Sequence, residues 1–179
     1  MKNKFDRIQK IVLLMVIFGV ICRLIPHPPN FSPVTAIALF GGLNFSDKRI
    51  AFSIPLIVLF LSDLILGISV INLFVYTGFL TIVFLGTKIK SIKFGNIILS
   101  SFIFFLISNF GVWIIGYPKN IEGLILCYTM AIPFFAYSLI STFTYSILIF
   151  GSQSLLHKIV ILYGEESHRM MAILLLELN

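Results

Sequence analysis

The amino-acid sequence predicts an all-α fold, a polytopic membrane bundle of six transmembrane helices with N-terminus and C-terminus both cytoplasmic. Three observations lead there: 59% of residues are hydrophobic and only 11% charged, the apolar runs are long enough to cross a bilayer, and the cations gather on one side of those runs. A mean hydropathy of +1.06 over 179 residues lies far from that of soluble domains of this length.

Crossing about 30 Å of hydrocarbon at about 1.5 Å per residue takes roughly 20 residues. Candidate segments stand near 11–25, 33–46, 50–67, 71–87, 97–116 and 123–150. The first runs from Ile11 into Cys22-Arg23-Leu24 without a small-residue cleavage site, so it is expected to stay as helix one rather than to be removed as a signal peptide. Pro26, Pro28 and Pro29 lack backbone donors and hold their predecessors extended, which ends helix one near Ile25 and leaves an extended segment over His27 to Phe31.

Ser32 and Pro33 read as the N-cap and first position of helix two, which has about 14 residues, or about 21 Å, before Asp47-Lys48-Arg49. That is short for a crossing. The extended segment is therefore expected to dip below the outer surface, where non-helical backbone is tolerated if it is buried in protein or lines a wet cavity. Ala38 and Gly42, with Gly41 adjacent, form a small-xxx-small pair that admits a close neighbour.

Helix three carries Pro55, a source of bending, and Asp63, the one carboxylate well inside a predicted span. Burying an acid there costs roughly 2.5 to 3.5 kcal/mol even on the lenient insertion scale, which makes it a functional candidate. Its structural alternative is a partner for Arg23, at similar depth on helix one. Helix four ends in the basic turn Lys88 to Asn96.

Helix five spaces Asn109, Trp113 and Tyr117 four residues apart, along one face. A binding wall and the ordinary aromatic belt of a membrane protein both fit that spacing. Helix six runs from about Gly123 to Phe150 with Pro133 as its kink, and Tyr137, Ser141 and Thr144 read as packing hydroxyls. Residues 1–150 thus form the transmembrane domain. Residues 151–179 hold apolar runs of nine residues or fewer and are expected to be a cytoplasmic tail, poorly ordered or lying on the membrane surface. His157 and His168 in that tail have no ligand set around them and read as solvated.

Orientation follows from the 13 Lys and Arg residues. An N-terminus inside puts Lys2, Lys4, Arg7, Lys10, Lys48, Arg49, Lys88, Lys90, Lys93, Lys158 and Arg169 on the cytoplasmic side, and Arg23 and Lys119 outside. The net charge of +6 therefore sits in turns facing anionic lipid, not on a basic domain for nucleic acid. Cys22 and Cys127 define no disulfide framework. The chain has no Gly-rich phosphate loop and no H-E-x-x-H, G-x-S-x-G or C-x-x-C, so no catalytic residue, cofactor or metal ligand is assigned.

The string from Arg23 to Pro33, followed by Ala38 to Gly42, Ser62-Asp63-Leu64, Asn109 to Trp113, Tyr117-Pro118, Glu122 to Leu124 and Pro133 to Phe135, resembles an uncharacterised family of bacterial six-helix membrane proteins over roughly residues 20 to 150. That family is similar in fold to the substrate-binding S components of energy-coupling-factor (ECF) vitamin transporters. The resemblance implies a multi-pass protein of the bacterial inner membrane with an outward pocket for a vitamin or other micronutrient. It also implies a separate scaffold and ATPase subunits as partners. Helix one lacks the spaced alanines with which many S components dock that scaffold, so a solitary facilitator is the second form of the same expectation.

The candidate substrate-binding residues are Arg23, His27, Asn30, Phe31, Asp63, Asn109, Trp113 and Tyr117. Arg23 and His27 are the expected donors to an anionic or polar ligand group, Asp63 and Asn109 further polar contacts, and Phe31 and Trp113 apolar surface. Two rival functions remain at this level. An intramembrane enzyme acting on a lipid-linked substrate would pair His27 with Asp63 as base and orienting group. A non-catalytic assembly protein would have a dry, closed bundle.

Overall fold

The structure, a computed structural model, describes the backbone of residues 2–177 and the side chains of residues 8–155. Among the described residues it is all-helical, with six helices: α1 (Lys2–Leu24), α2 (Val34–Asn44), α3 (Lys48–Leu66), α4 (Ile71–Lys88), α5 (Phe94–Gly116) and α6 (Ile121–Glu177). Among the described residues, four of them, α3, α4, α5 and the Ile121–Leu155 part of α6, are long and apolar enough to cross a membrane. Large apolar side chains stand exposed along the bundle, Leu14, Ile65 and Ile132 among them, as the lipid-facing surface of a multi-pass membrane protein requires.

The bundle is built around α2. Every residue from Val34 to Gly42 is buried, and α2 contacts all five other helices. Its sequence is apolar on all sides, which makes the interior its stable place. With 11 residues, about 16 Å, it covers only half of a bilayer core by itself. Ser32 is not its N-cap: Pro33 occupies that position without any side-chain cap. The backbone before the helix meets α6 instead, where Ser141 Oγ lies 3.3 Å from both Asn30 O and Ser32 O and shares its one proton between them and Ser138 O of its own helix at 3.1 Å.

Glycines set the closest approaches. A Cβ on Gly42 would stand 2.2 Å from Val83 O, and one on Gly86 would stand 2.7 Å from Leu39 O, so α2 and α4 touch backbone to backbone. Gly41 faces Ala51 O, the carbonyl four residues before Pro55 and thus the one that Pro55 cannot satisfy. At the other end of α2, Lys48 Nζ donates to Gly42 O at 3.1 Å and to Phe45 O at 3.0 Å, placing a cation at the helix C-terminus.

Helix α6 does not end at Phe150; its backbone continues as helix to Glu177. His157 and His168 lie outside the residues whose side chains are described. Cys22 and Cys127 are free thiols.

Candidate functional site

Helix α1 ends with Arg23, α3 with the Ser62-Asp63 pair, and α4 begins with Asn72 and Tyr76 one turn apart. These three helix ends meet. Arg23 donates through Nη2 to Asp63 Oδ1 at 2.5 Å and through Nε to Ser62 Oγ at 2.6 Å. Asp63 Oδ2 accepts from Asn72 Nδ2 at 2.7 Å and from Tyr76 Oη at 2.9 Å. The Asn72 amide is oriented in turn by Ser69, whose N–H and hydroxyl both donate to Asn72 Oδ1, at 3.2 and 2.9 Å.

Both members of the ion pair are withdrawn from solvent, with side-chain exposures of 17% for Arg23 and 4% for Asp63. With a cation and two neutral donors on its two oxygens, Asp63 has its hydrogen-bonding needs met. Arg23 does not. Of its five N–H groups, two are used, and three have no protein acceptor among the described residues.

Those donors face a cavity of about 350 Å³. Its polar wall combines Arg23, Asp63 and Asn72 with His27, Asn30 and Ser32 of the α1–α2 connection and Thr35 of α2. Its apolar wall is Leu66 at the end of α3, Val75 and Phe79 of α4, and Phe104 of α5. The Phe79 and Phe104 rings pack on each other with centroids 4.7 Å apart and planes tilted by 31°. Thr35 is only 4% exposed, and its hydroxyl has no partner among the described residues. Gly67, which ends α3 at φ +105°, also borders the cavity; a side chain there would be strained.

The connection that borders the cavity has local contacts of its own. His27 Nδ1 donates to Pro28 O at 2.8 Å, which leaves Nε2 as the unengaged ring nitrogen. Asn30 adopts φ +63°, the left-handed conformation that Asn tolerates better than most residues. The Phe31 ring packs against Tyr145 of α6 with centroids 5.9 Å apart.

Four of the eight candidate residues thus converge on the cavity: Arg23, His27, Asn30 and Asp63. The other four lie outside its lining. Phe31 anchors the connection to Tyr145, and Asn109 donates within its own helix to Phe105 O at 2.8 Å. Trp113 Nε1 donates to Pro118 O at 2.9 Å, and Lys119 Nζ donates to the Trp113 and Tyr117 carbonyls, so Trp113 and Tyr117 shape the turn between α5 and α6. His27 and Asp63 line the same cavity, but no hydrogen bond joins them.

Sequence reasoning gave no site role to Ser62, Thr35, Asn72 and Tyr76. A signal existed for two of them: Asn72 and Tyr76, four apart at the start of α4, present an amide and a phenol on one helical face just after the turn that follows Asp63.

Residues 3–163 match the model of a family described as Family of unknown function (DUF6580), and the chain belongs to that family. No curated protein and no solved structure gives a match.

Proposed function

We propose that this member of the family binds a small molecule in the Arg23–Asp63 cavity and carries it across the membrane. In the more specific form of this reading it resembles an S component, either the substrate-binding subunit of a transporter for a vitamin or other micronutrient or a solitary facilitator. The observation that carries the reading is the cavity itself. Its volume of about 350 Å³ is within the usual range for small-molecule sites, and it combines an aromatic wall with a few convergent polar groups held by a buried ion pair.

Orientation supports an opening toward the outside. The end of the bundle that bears Arg23 and the α5–α6 turn carries Arg23 and Lys119, whereas the other eleven cations fall at the opposite ends of the helices or in the C-terminal segment. Six crossings with both termini cytoplasmic follow if the connection from Ile25 to Pro33 supplies what α2 lacks in length. Its carbonyls at Asn30 and Ser32 are bonded by Ser141, and it lines a cavity, the circumstances in which irregular backbone is tolerated at membrane depth.

The roles of the polar residues divide accordingly. Arg23, Thr35 and His27 present unused hydrogen-bonding atoms to a ligand, while Asp63, Ser62, Asn72 and Tyr76 hold the guanidinium in place.

The test is to purify the protein from its expression host, extract it with organic solvent and identify any retained small molecule by mass spectrometry. Binding of that molecule is then measured by calorimetry. Thr35→Val is isosteric and removes one cavity hydroxyl; it is expected to weaken binding about tenfold, one hydrogen bond's worth. A retained molecule whose affinity is unchanged by Thr35→Val and by Arg23→Gln would place the ligand elsewhere.

A further inference from the structure

We infer that the ligand of this cavity is electrically neutral and presents hydrogen-bond-accepting atoms on an apolar body. The inference rests on the reading that the cavity binds a small molecule, and it decides between an anionic and a neutral one.

Charge decides first. Arg23 alone would call for an anion, but its charge is already matched by Asp63 at 2.5 Å. Among the described residues no other Lys, Arg, Asp or Glu lines the cavity. An anionic ligand would set a second negative charge beside Asp63, and a cationic one would set a second positive charge beside Arg23. Either would lose its hydration without gaining a counter-ion, which is costly in a membrane interior.

Hydrogen-bonding capacity decides second. Asp63, the obvious acceptor, is engaged by Arg23, Asn72 and Tyr76. The Asn72 carbonyl oxygen is taken by Ser69. What remains on the polar wall includes three Arg23 N–H groups and the second N–H of Asn72, which can only donate, beside the Thr35 and Ser32 hydroxyls, the Asn30 amide and His27 Nε2. A carbonyl or an unprotonated ring nitrogen satisfies these without bringing charge.

Shape decides third. Phe79 and Phe104, 2% and 6% exposed with centroids 4.7 Å apart and planes tilted by 31°, line the cavity with Leu66 and Val75. This apolar lining takes an apolar body and leaves a ligand's polar atoms to Arg23 and Thr35.

The test uses three probes of nearly the same shape: naphthamide, which is neutral, naphthoate, an anion, and naphthamidinium, a cation. Their binding to the full-length protein in detergent is measured by calorimetry at pH 7. Naphthamide is expected to bind at least about tenfold more tightly than either ion. Asp63→Asn removes the matching charge while keeping the shape, and is expected to reverse the order of naphthamide and naphthoate. The wild-type ranking needs no variant, so it stands even if Asp63→Asn does not fold. An ion that binds wild-type protein as tightly as naphthamide overturns the inference while leaving the cavity a binding site. Binding of none of the three also overturns it, and then a molecule retained through purification decides separately whether the cavity binds anything.

Discussion

Arg23 and Asp63 stabilise the bundle only as a pair. Each is largely removed from water, so losing either leaves the other charge buried without compensation. Arg23→Met or Asp63→Leu alone is expected to lower stability by about 3 kcal/mol, read as thermal unfolding in detergent. The double variant is expected to recover more than half of the summed loss, because it removes both charges together. Additive losses in that cycle would mean that the two residues act independently. Asn109 should behave differently. Its amide bonds Phe105 O of its own helix, away from the cavity, so Asn109→Leu is expected to stay within about 0.5 kcal/mol of wild type and to leave ligand binding unchanged. The contrast explains what the sequence makes legible at this scale. A charge inside an apolar run stands out because its burial demands a partner, and Arg23 and Asp63 were found that way. Neutral polar residues carry no such mark: Asn72 and Asn109 look alike in the sequence, and only the fold decides that one meets a carboxylate and the other its own backbone.

At the scale of elements, α2 depends on the absence of side chains at its crossing with α4. A methyl at Gly42 would meet Val83 O and Gly86, and a methyl at Gly86 would meet Leu39 O; backbone cannot swing aside as a side chain can. Gly42→Ala or Gly86→Ala is therefore expected to cost about 1–3 kcal/mol and to prise α2 from α4. Gly151, in the middle of α6, faces open space, so Gly151→Ala should instead stabilise by up to about 1 kcal/mol through helix propensity. Equal effects at the buried and open glycines, measured as shifts in thermal unfolding, would refute the close crossing. The prolines and the apolar run lengths made the helix order and most boundaries readable, since both act within a few residues of where they stand. The start of α2 was read less well. A Ser-Pro pair predicts a side-chain cap, but Ser141, 109 residues away, holds the backbone there, and no local pattern announces a contact of that range.

At the scale of the whole molecule, the distribution of cations and the short α2 make opposite demands. If the eleven cations set against Arg23 and Lys119 face the cytoplasm, alternate ends of successive helices must do so too, whereas 11 helical residues do not reach across a bilayer. The two agree only if the Ile25–Pro33 connection lies within the membrane depth, closing the cavity from the outer side while α2 completes the crossing from the inner one. Accessibility of introduced cysteines tests this directly in a Cys22→Ser, Cys127→Ser background. Ser46→Cys lies in the exposed α2–α3 turn, and Ile121→Cys lies at the start of α6, where Ile121 is 75% exposed. In intact cells a membrane-impermeant maleimide is expected to label Ile121→Cys, and to label Ser46→Cys only after permeabilisation. Labelling both from the same side would mean that the segment between them crosses an even number of times, and the cavity would then lose its assignment to the outer face. A third position, His27→Cys, reports on the connection itself. If that segment lies within the membrane depth beside a wet cavity, its labelling should be slower than that of Ile121→Cys and should slow further when a ligand fills the cavity.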